Sequence, residues 1–294
     1  MLDGYSMQTV ISRFIQYAYL IRLHKPIGTV LLLWPTLWAL WFASDGNPPV
    51  KHVIIFSLGT LLMRSAGCAV NDYADREFDK HVKRTEKRPL TSGKISGKET
   101  LLVAGFLALL AFLLVIQLNQ MTILLSFFAL FIAILYPFTK RFFSIPQAVL
   151  GIAFGFGIPM AYAAELNTVP WQSWLMLLGN IFWAIAYDTA YAMVDRDDDI
   201  RIGIKTSAIT FGKYEVTAIV ICYLMFFAIM AYLATLKELN IWFWIGWLGA
   251  VGCAVYHFFL VRTRDRMKCF AAFNHNNWLG AILFTGVFLA YYFQ

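Results

Sequence analysis

Long apolar runs separated by short polar connections constrain this chain more than any other feature of its sequence. A helix that crosses a bilayer needs about 20 mostly apolar residues, and none of these runs shows the strict alternation of a membrane barrel strand. We therefore predict an all-α membrane protein, a single domain over residues 1–294 built as a bundle of nine transmembrane helices. The predicted spans are residues 27–43, 53–70, 100–117, 121–138, 146–164, 173–193, 214–235, 241–261 and 272–292.

Composition agrees with a membrane protein. The 294 residues are 60% hydrophobic and only 14% charged, whereas soluble domains carry about 25% charged residues. There is no low-complexity tract, and the four cysteines form no C-x-x-C pair. These features argue against extended disorder and against a zinc or disulfide framework.

Basic residues predict the orientation of the bundle. In a topology of nine spans, 21 of the 24 Lys and Arg residues lie on one side of the membrane. Lys51 and Lys237 lie on the other side, and Arg64 lies within a span. Because basic connections stay in the cytoplasm, the N-terminus is predicted to be cytoplasmic and the C-terminus outside. The net charge of +7 then reflects membrane topology, and no nucleic-acid partner or obligate protein partner is expected.

The segment before the first span is apolar and aromatic. Residues 10–21 are predicted to form an interfacial helix, and an extension of the first span is the alternative. No signal peptide is expected, because no small-residue cleavage site follows the first apolar run.

More than half of the 17 acidic residues lie in two short clusters, 71–79 and 188–199. On a helix, Asn71, Asp75 and Asp79 share one face, with Asp72 at its edge. A second stripe has the same spacing. Its members are Asp188, Tyr191, Asp195 and Asp199.

The two clusters stand at corresponding places in the chain. Asp75 and Asp195 are 120 residues apart, as are Asp79 and Asp199. This offset suggests two four-helix halves, residues 27–138 and 146–261, followed by a ninth helix. Two facing acidic stripes need cations between them, and Mg²⁺ commonly combines one or two carboxylates with substrate phosphates. The pattern therefore predicts Mg²⁺ ions that hold a diphosphate.

Basic residues near the clusters are candidate ligands for an anionic substrate. Arg64 precedes Asn71 by seven residues, which places it roughly 10 Å deeper on the same helix face. It is either a structural ion-pair partner or a site for an anionic group. Lys140, Arg141 and Lys205 are candidate diphosphate ligands, although orientation in the membrane explains each of them equally well.

The two clusters resemble the paired aspartate-rich motifs of the UbiA superfamily of intramembrane prenyltransferases. The resemblance extends over nearly the whole chain. Within the superfamily it is strongest to the bacterial enzymes that prenylate 4-hydroxybenzoate, although His24 stands where Asp is more usual. The stretches that carry it are residues 23–28, 64–68, 83–85, 88–90 and 195–205.

The resemblance implies a reaction and a cofactor. A polyprenyl diphosphate would bind through Mg²⁺ and ionise to an allylic carbocation, which the ring of 4-hydroxybenzoate attacks ortho to its hydroxyl. The product would be a ubiquinone precursor made at the inner membrane of a bacterium.

The resemblance also implies roles for individual residues. The implied metal ligands are Asn71, Asp75, Asp195 and Asp199, with Asp72, Asp79 and Asp188 assisting. Asp188 or Asp195 would orient the acceptor or receive its proton. Apart from the resemblance, the aromatic face of Tyr136, Tyr187 or Tyr191 would shield the cation, and Tyr191 is favoured because it lies inside the motif. Arg64 would bind the acceptor.

Two alternatives remain open from the sequence. A related prenyltransferase would share the metal chemistry and use another aromatic acceptor, such as a naphthoate or a homogentisate. A cation-coupled transporter would also place acidic residues in a helical bundle. The position of both acidic clusters at the predicted cytoplasmic ends, away from the bilayer midplane, favours the enzyme.

Overall fold

The computed structural model of the chain describes residues 2–81 and 85–294, and within these ranges the ordered elements are all helical. Lys83 and Arg84, which contribute to the family resemblance, lie outside the described residues. The helices are α1 (Leu2–Leu20), α2 (Ile27–Ala43), α3 (Val50–Asp75), α4 (Gly97–Val115), α5 (Gln120–Thr139), α6 (Pro146–Gly155), α7 (Gly157–Leu166), α8 (Trp171–Ile202), α9 (Ser207–Phe211), α10 (Glu215–Leu236), α11 (Ile241–Val261) and α12 (Arg266–Tyr292).

The all-α membrane class is confirmed. In the part of the chain that the structure describes, six helical segments are long and apolar enough to cross a bilayer, and α2 is apolar but shorter. The helices α8 and α12 cover the remaining predicted spans, and α8 continues into the second acidic cluster. The number of nine crossings, the orientation and the division into halves stay predictions. The six segments are Val50–Asp75, Gly97–Val115, Gln120–Thr139, Pro146–Leu166, Ser207–Leu236 and Ile241–Val261.

The segment before α2 forms a separate helix. The helix α1 ends at Leu20, and Arg22 then adopts a φ of 55°, which interrupts the helix. The alternative that residues 10–21 extend the first span is therefore wrong. Tyr17 and Leu20 pack inward, whereas Ile11, Phe14, Ile15 and Tyr19 are exposed along one face. This two-faced helix suits the interfacial position predicted from the sequence.

The predicted fifth span is divided into α6 and α7 at Phe156. Pro159 has no backbone N–H to donate to the carbonyl of Gly155, so the helical ladder is interrupted there. A Cβ on Gly155 would lie 2.4 Å from Asn180 Nδ2, and one on Gly157 would lie 2.4 Å from Thr36 Oγ1. These glycines allow α6 and α7 to approach α8 and α2 closely.

The helix α8 lies among α6, α10 and α12. Its contact with α2 and α10 includes three aromatic rings. Trp183 lies 5.2 Å from Trp38 and 5.7 Å from Phe226 between ring centroids, and all three side chains are fully buried. This core fixes the position of the helix that carries the second acidic cluster.

Close packing of α11 on α12 gives a test of the fold. A Cβ on Gly246 would lie 2.6 Å from the Cα of Gly286, so Gly246→Leu forces the two backbones apart. We expect a loss of about 1–3 kcal/mol in the free energy of unfolding, seen as a lower unfolding temperature in detergent. Gly252→Leu on the same helix is the control, because a Cβ there meets nothing within 4 Å. Equal unfolding temperatures for both variants would contradict this packing.

Candidate active site

A single cavity of about 1080 Å³ contains residues of both acidic clusters. At one end it is lined by carboxylates of α3 and α8, and at the other by apolar side chains such as Ile55 and Leu118. It therefore joins a highly charged region to an apolar one. The sequence-predicted residues that line it are Arg64, Asn71, Asp75, Asp79, Lys140, Asp188, Tyr191, Asp195, Asp199 and Lys205.

The first acidic cluster does not lie on one continuous helix. The helix α3 ends at Asp75, and the N–H of Phe78 bonds to the carbonyl of Asp75 in a tighter turn. Asp79 begins a short 3-10 helix, Asp79–His81. The predicted helical stripe from Asn71 to Asp79 is therefore wrong at Asp79, although Asp79 still lines the cavity.

Each of the three buried carboxylates of the first cluster has a basic partner. Arg22 donates to Asp72 at 2.5 Å. Arg88 bridges Asp72 and Asp79 at 3.0 and 2.6 Å, and Lys140 pairs with Asp75. The three carboxylate side chains are at most 9% exposed. Burial of these charges requires such partners, because an unpaired buried carboxylate is costly.

The second acidic cluster lies entirely on α8, as predicted. The start of α12 covers it. The ring of Phe273 lies 4.6 Å from that of Tyr191, and Arg266 lies 3.6 Å from Asp198 and 4.0 Å from Asp195. The ninth predicted span therefore contributes a wall of the site.

Two predicted site residues lie outside the cavity lining. Asp72 is completely buried behind it, between Arg22 and Arg88. Arg141 donates to the carbonyl of Ala74 at 2.7 Å and so binds the last turn of α3. Both residues hold the lining in place.

The guanidinium of Arg64 is bound to the backbone of the α1–α2 connection. It donates to the carbonyls of Ile21, Arg22 and Lys25 at 3.1–3.2 Å. Gly28 gives it room, because a Cβ there would lie 2.5 Å from its Nη2. Three of its five N–H groups are used in this way. Among the described residues no partner takes the other two, which remain available to a ligand in the cavity.

The two lysines lie next to each other. The backbone N–H of Lys205 bonds to the carbonyl of Lys140 at 3.0 Å. The ammonium of Lys205 donates to the carbonyl of Phe142 at 3.0 Å. The connection that follows the second cluster is thereby attached to the end of α5.

Sequence reasoning gave Arg22 no role in the site and left Arg88 open between membrane topology and substrate binding, yet both line the cavity and contact the first cluster. Neither has a helical spacing to the aspartates, so periodicity gave no signal.

Burial and the charges of Lys25, Arg22 and Arg64 lower the pKa of His24 below its ordinary value. Arg22, Lys25 and Arg64 lie together on the cavity lining, so this side of the cavity carries positive charge that suits an anion.

One buried carboxylate oxygen of the site is available to a divalent cation. Among the described residues, no three carboxylate, imidazole or thiolate groups are close enough to share an ion. However, Asp75 Oδ1 is buried and has no hydrogen-bond partner in the part of the chain that the structure describes. A buried carboxylate oxygen of this kind is a strong ligand for Mg²⁺.

Comparison with known proteins decides the family. The model of the UbiA prenyltransferase family matches residues 32–280. The chain belongs to the UbiA prenyltransferase family. The resemblance inferred from the acidic clusters is thus confirmed.

Individual UbiA relatives agree with this assignment. The chain is 65% identical over 277 residues to 4-hydroxybenzoate octaprenyltransferase of Polynucleobacter asymbioticus. The aligned region covers 94% of this chain and 96% of that relative. A UbiA homolog from Aeropyrum pernix has a similar fold, with a TM-score of 0.78, 23% identity, and coverage of 88% and 97% of the two chains. A UbiA homolog from Archaeoglobus fulgidus bound to GPP and Mg²⁺ matches with a TM-score of 0.71, 17% identity, and coverage of 94% and 99%.

The Lys140–Asp75 pair gives a test of the site in the resting protein. Lys140→Met leaves Asp75 buried without its cation, so we expect a loss of about 1–3 kcal/mol in the free energy of unfolding. In the double variant Lys140→Met/Asp75→Asn, most of this loss should disappear, because the carboxylate charge is gone. Thermal unfolding in detergent measures both effects.

The control is Lys80→Met, which breaks an exposed pair with Glu77. We expect a change within about 0.5 kcal/mol. Asp75→Asn is also measured alone, and strictly additive effects of the two single substitutions in the double variant would show that the pair does not stabilise the site.

Proposed function

We propose that the protein transfers the polyprenyl group of a polyprenyl diphosphate to 4-hydroxybenzoate. The new bond forms at the ring carbon ortho to the hydroxyl, giving 3-polyprenyl-4-hydroxybenzoate and diphosphate for ubiquinone biosynthesis. One observation carries the proposal: a single cavity joins two acidic clusters to an apolar interior. The name of the Polynucleobacter relative supports the acceptor.

Five residues are proposed to hold Mg²⁺ at the acidic end: Asn71, Asp75 and Asp79 from the first cluster, and Asp195 and Asp199 from the second. Mg²⁺ bound there neutralises charge on the departing diphosphate. Asp72 acts from behind the lining by orienting Arg22 and Arg88. The Mg²⁺ in the Archaeoglobus homolog supports this metal.

Lys140 and Lys205 are proposed to bind the diphosphate oxygens. Both lie at the end of α5 and line the cavity, and each ammonium offers three rotatable donors. As the allylic C–O bond breaks, its electron pair leaves with the diphosphate, and nearby cations lower the energy of that charge. Arg141 contributes by holding the last turn of α3.

The acceptor is proposed to bind between Arg64 and α8. Its carboxylate takes the N–H groups of Arg64 that the connection leaves unused. The aromatic face of Tyr191, packed on Phe273, shields the allylic cation until the ring attacks. The ring proton then passes to a carboxylate of α8, either Asp188 or Asp195.

We further propose that the protein lies in a bacterial inner membrane with both acidic clusters at the cytoplasmic side. The positive-inside pattern of its connections supports this orientation. Polyprenyl diphosphate then enters with its charged end near the cytoplasm and its chain among the helices.

The proposed reaction is tested with purified protein in liposomes, octaprenyl diphosphate and radiolabelled 4-hydroxybenzoate. We expect prenylated product with Mg²⁺ and none with a chelator. Asp75→Asn and Asp195→Asn should each lower the rate by at least about 100-fold, because they remove a metal-binding charge. Asp197→Asn is the matched control, since Asp197 is exposed on the same helix two residues from Asp195, and its rate should stay within twofold.

A panel of acceptors separates the alternatives. Product with a naphthoate or a homogentisate, and none with 4-hydroxybenzoate, would retain prenyl transfer and overturn the acceptor. Absence of product with every acceptor from folded protein would contradict the enzyme altogether and favour the transporter.

A further inference from the structure

The helix α3 lines the cavity along most of its length. Gly59, Met63, Gly67, Asn71 and Asp75 all lie on the lining, and their spacing of four places them along one stripe that winds slowly around the helix. From Asp75 to Gly59 the helix rises about 24 Å at 1.5 Å per residue. The stripe therefore runs from the acidic end deep into the apolar interior.

Gly59 and Gly67 differ from most glycines in the other helices. A Cβ on Gly151 would meet backbone of Ile181 at 2.9 Å, so that glycine permits close helix contact. By contrast, a Cβ at Gly59 or Gly67 would meet nothing within 4 Å. Glycine inside a helix costs about 1 kcal/mol relative to alanine, and here no packing contact explains it. The space beside both residues is the cavity itself.

We infer that Gly59 and Gly67 determine the length of prenyl chain that the cavity accepts. This inference rests on the proposed function. Any side chain at these positions would project into the path of the chain, at two different depths. Glycine at both leaves the path open for a long polyprenyl group.

Because Gly67 and Gly59 lie at different depths in the cavity, a side chain at each should obstruct prenyl chains above a different length. An isoprene unit contributes four backbone carbon–carbon bonds and, at about 1.5 Å per bond in zigzag, spans about 5 Å. Gly67 lies about 12 Å from Asp75 along the helix, a length of two to three units, and Gly59 about 24 Å, a length of about five units. A bulky residue at Gly67 should therefore affect shorter chains than one at Gly59.

The experiment compares geranyl, farnesyl and octaprenyl diphosphate, with two, three and eight units, on Gly59→Phe and Gly67→Phe. Gly59→Phe should keep geranyl and farnesyl transfer within about twofold of the unsubstituted protein and lower octaprenyl kcat/KM at least tenfold. Gly67→Phe should lower farnesyl and octaprenyl transfer alike. Gly105→Phe is the matched control, because Gly105 has equally open space but is exposed on α4 outside the cavity lining.

Activity with geranyl diphosphate shows that a variant is folded. An unchanged ratio of octaprenyl to geranyl kcat/KM in Gly59→Phe would overturn the inference. If Gly59→Phe loses all activity, the smaller Gly59→Leu decides, and an equal loss on all three chains in that variant also overturns it. Unsubstituted protein that is inactive with every chain would overturn the proposed function itself, and the chain-length assignment with it.

Discussion

Compensation of buried negative charge organises the acidic end of this bundle. Asp72, Asp75 and Asp79 lie almost out of contact with solvent at the end of α3, where an uncompensated carboxylate would destabilise the fold. Arg22, Arg88 and Lys140 come from three different parts of the chain to meet them. These ion pairs attach the α1–α2 connection, the connection after α3 and the end of α5 to the C-terminal end of α3.

The same arrangement prepares the site for its proposed substrates. A diphosphate is negative and Mg²⁺ is positive. The diphosphate can therefore take over the basic side chains of the existing ion pairs, and Mg²⁺ can take over their carboxylates. The carboxylates have the oxygen ligands that Mg²⁺ prefers, and lysine is a mobile point charge suited to phosphate. The cations that stabilise the resting protein are therefore also available for catalysis.

The apolar part of the bundle serves a different purpose. A carbocation survives only where water is excluded, and a long prenyl chain is stable only in apolar surroundings. The cavity meets both needs, because it continues from the acidic clusters between α2, α3, α4 and α5. Packing of Trp183 of α8 on the rings of Trp38 and Phe226 keeps the second cluster at the acidic end of the cavity.

Much of this architecture could be predicted from local sequence. Apolar runs indicated the spans, and a spacing of four along α8 placed Asp195 and Asp199 on one helix, as the structure shows. The end of α3 at Asp75 could not be predicted, because no proline or glycine marks it in residues 71–79, and the residue beyond it, Asp79, is held by a tertiary contact with Arg88. The contacts of Arg22 and Arg88 with the first cluster could not be predicted either, since long-range pairing has no period in the sequence.

Some features were visible in the residues but ambiguous. Pro159 could have indicated the break between α6 and α7, yet prolines also occur inside intact membrane helices, as Pro35 does in α2. Arg64 was placed correctly on the cavity-lining face. Its bonds to the carbonyls of Ile21, Arg22 and Lys25 depend on how α1 folds back, which the local pattern does not contain.

Both acidic clusters are proposed to bind one metal–diphosphate group. The most direct measurement is Mn²⁺ binding followed by electron paramagnetic resonance, in the presence of a non-reactive prenyl thiodiphosphate. We expect analogue-dependent Mn²⁺ binding that is weakened at least tenfold by Asp75→Asn and by Asp195→Asn, and is unchanged by Asp197→Asn. Full Mn²⁺ binding in either of the first two variants would contradict it.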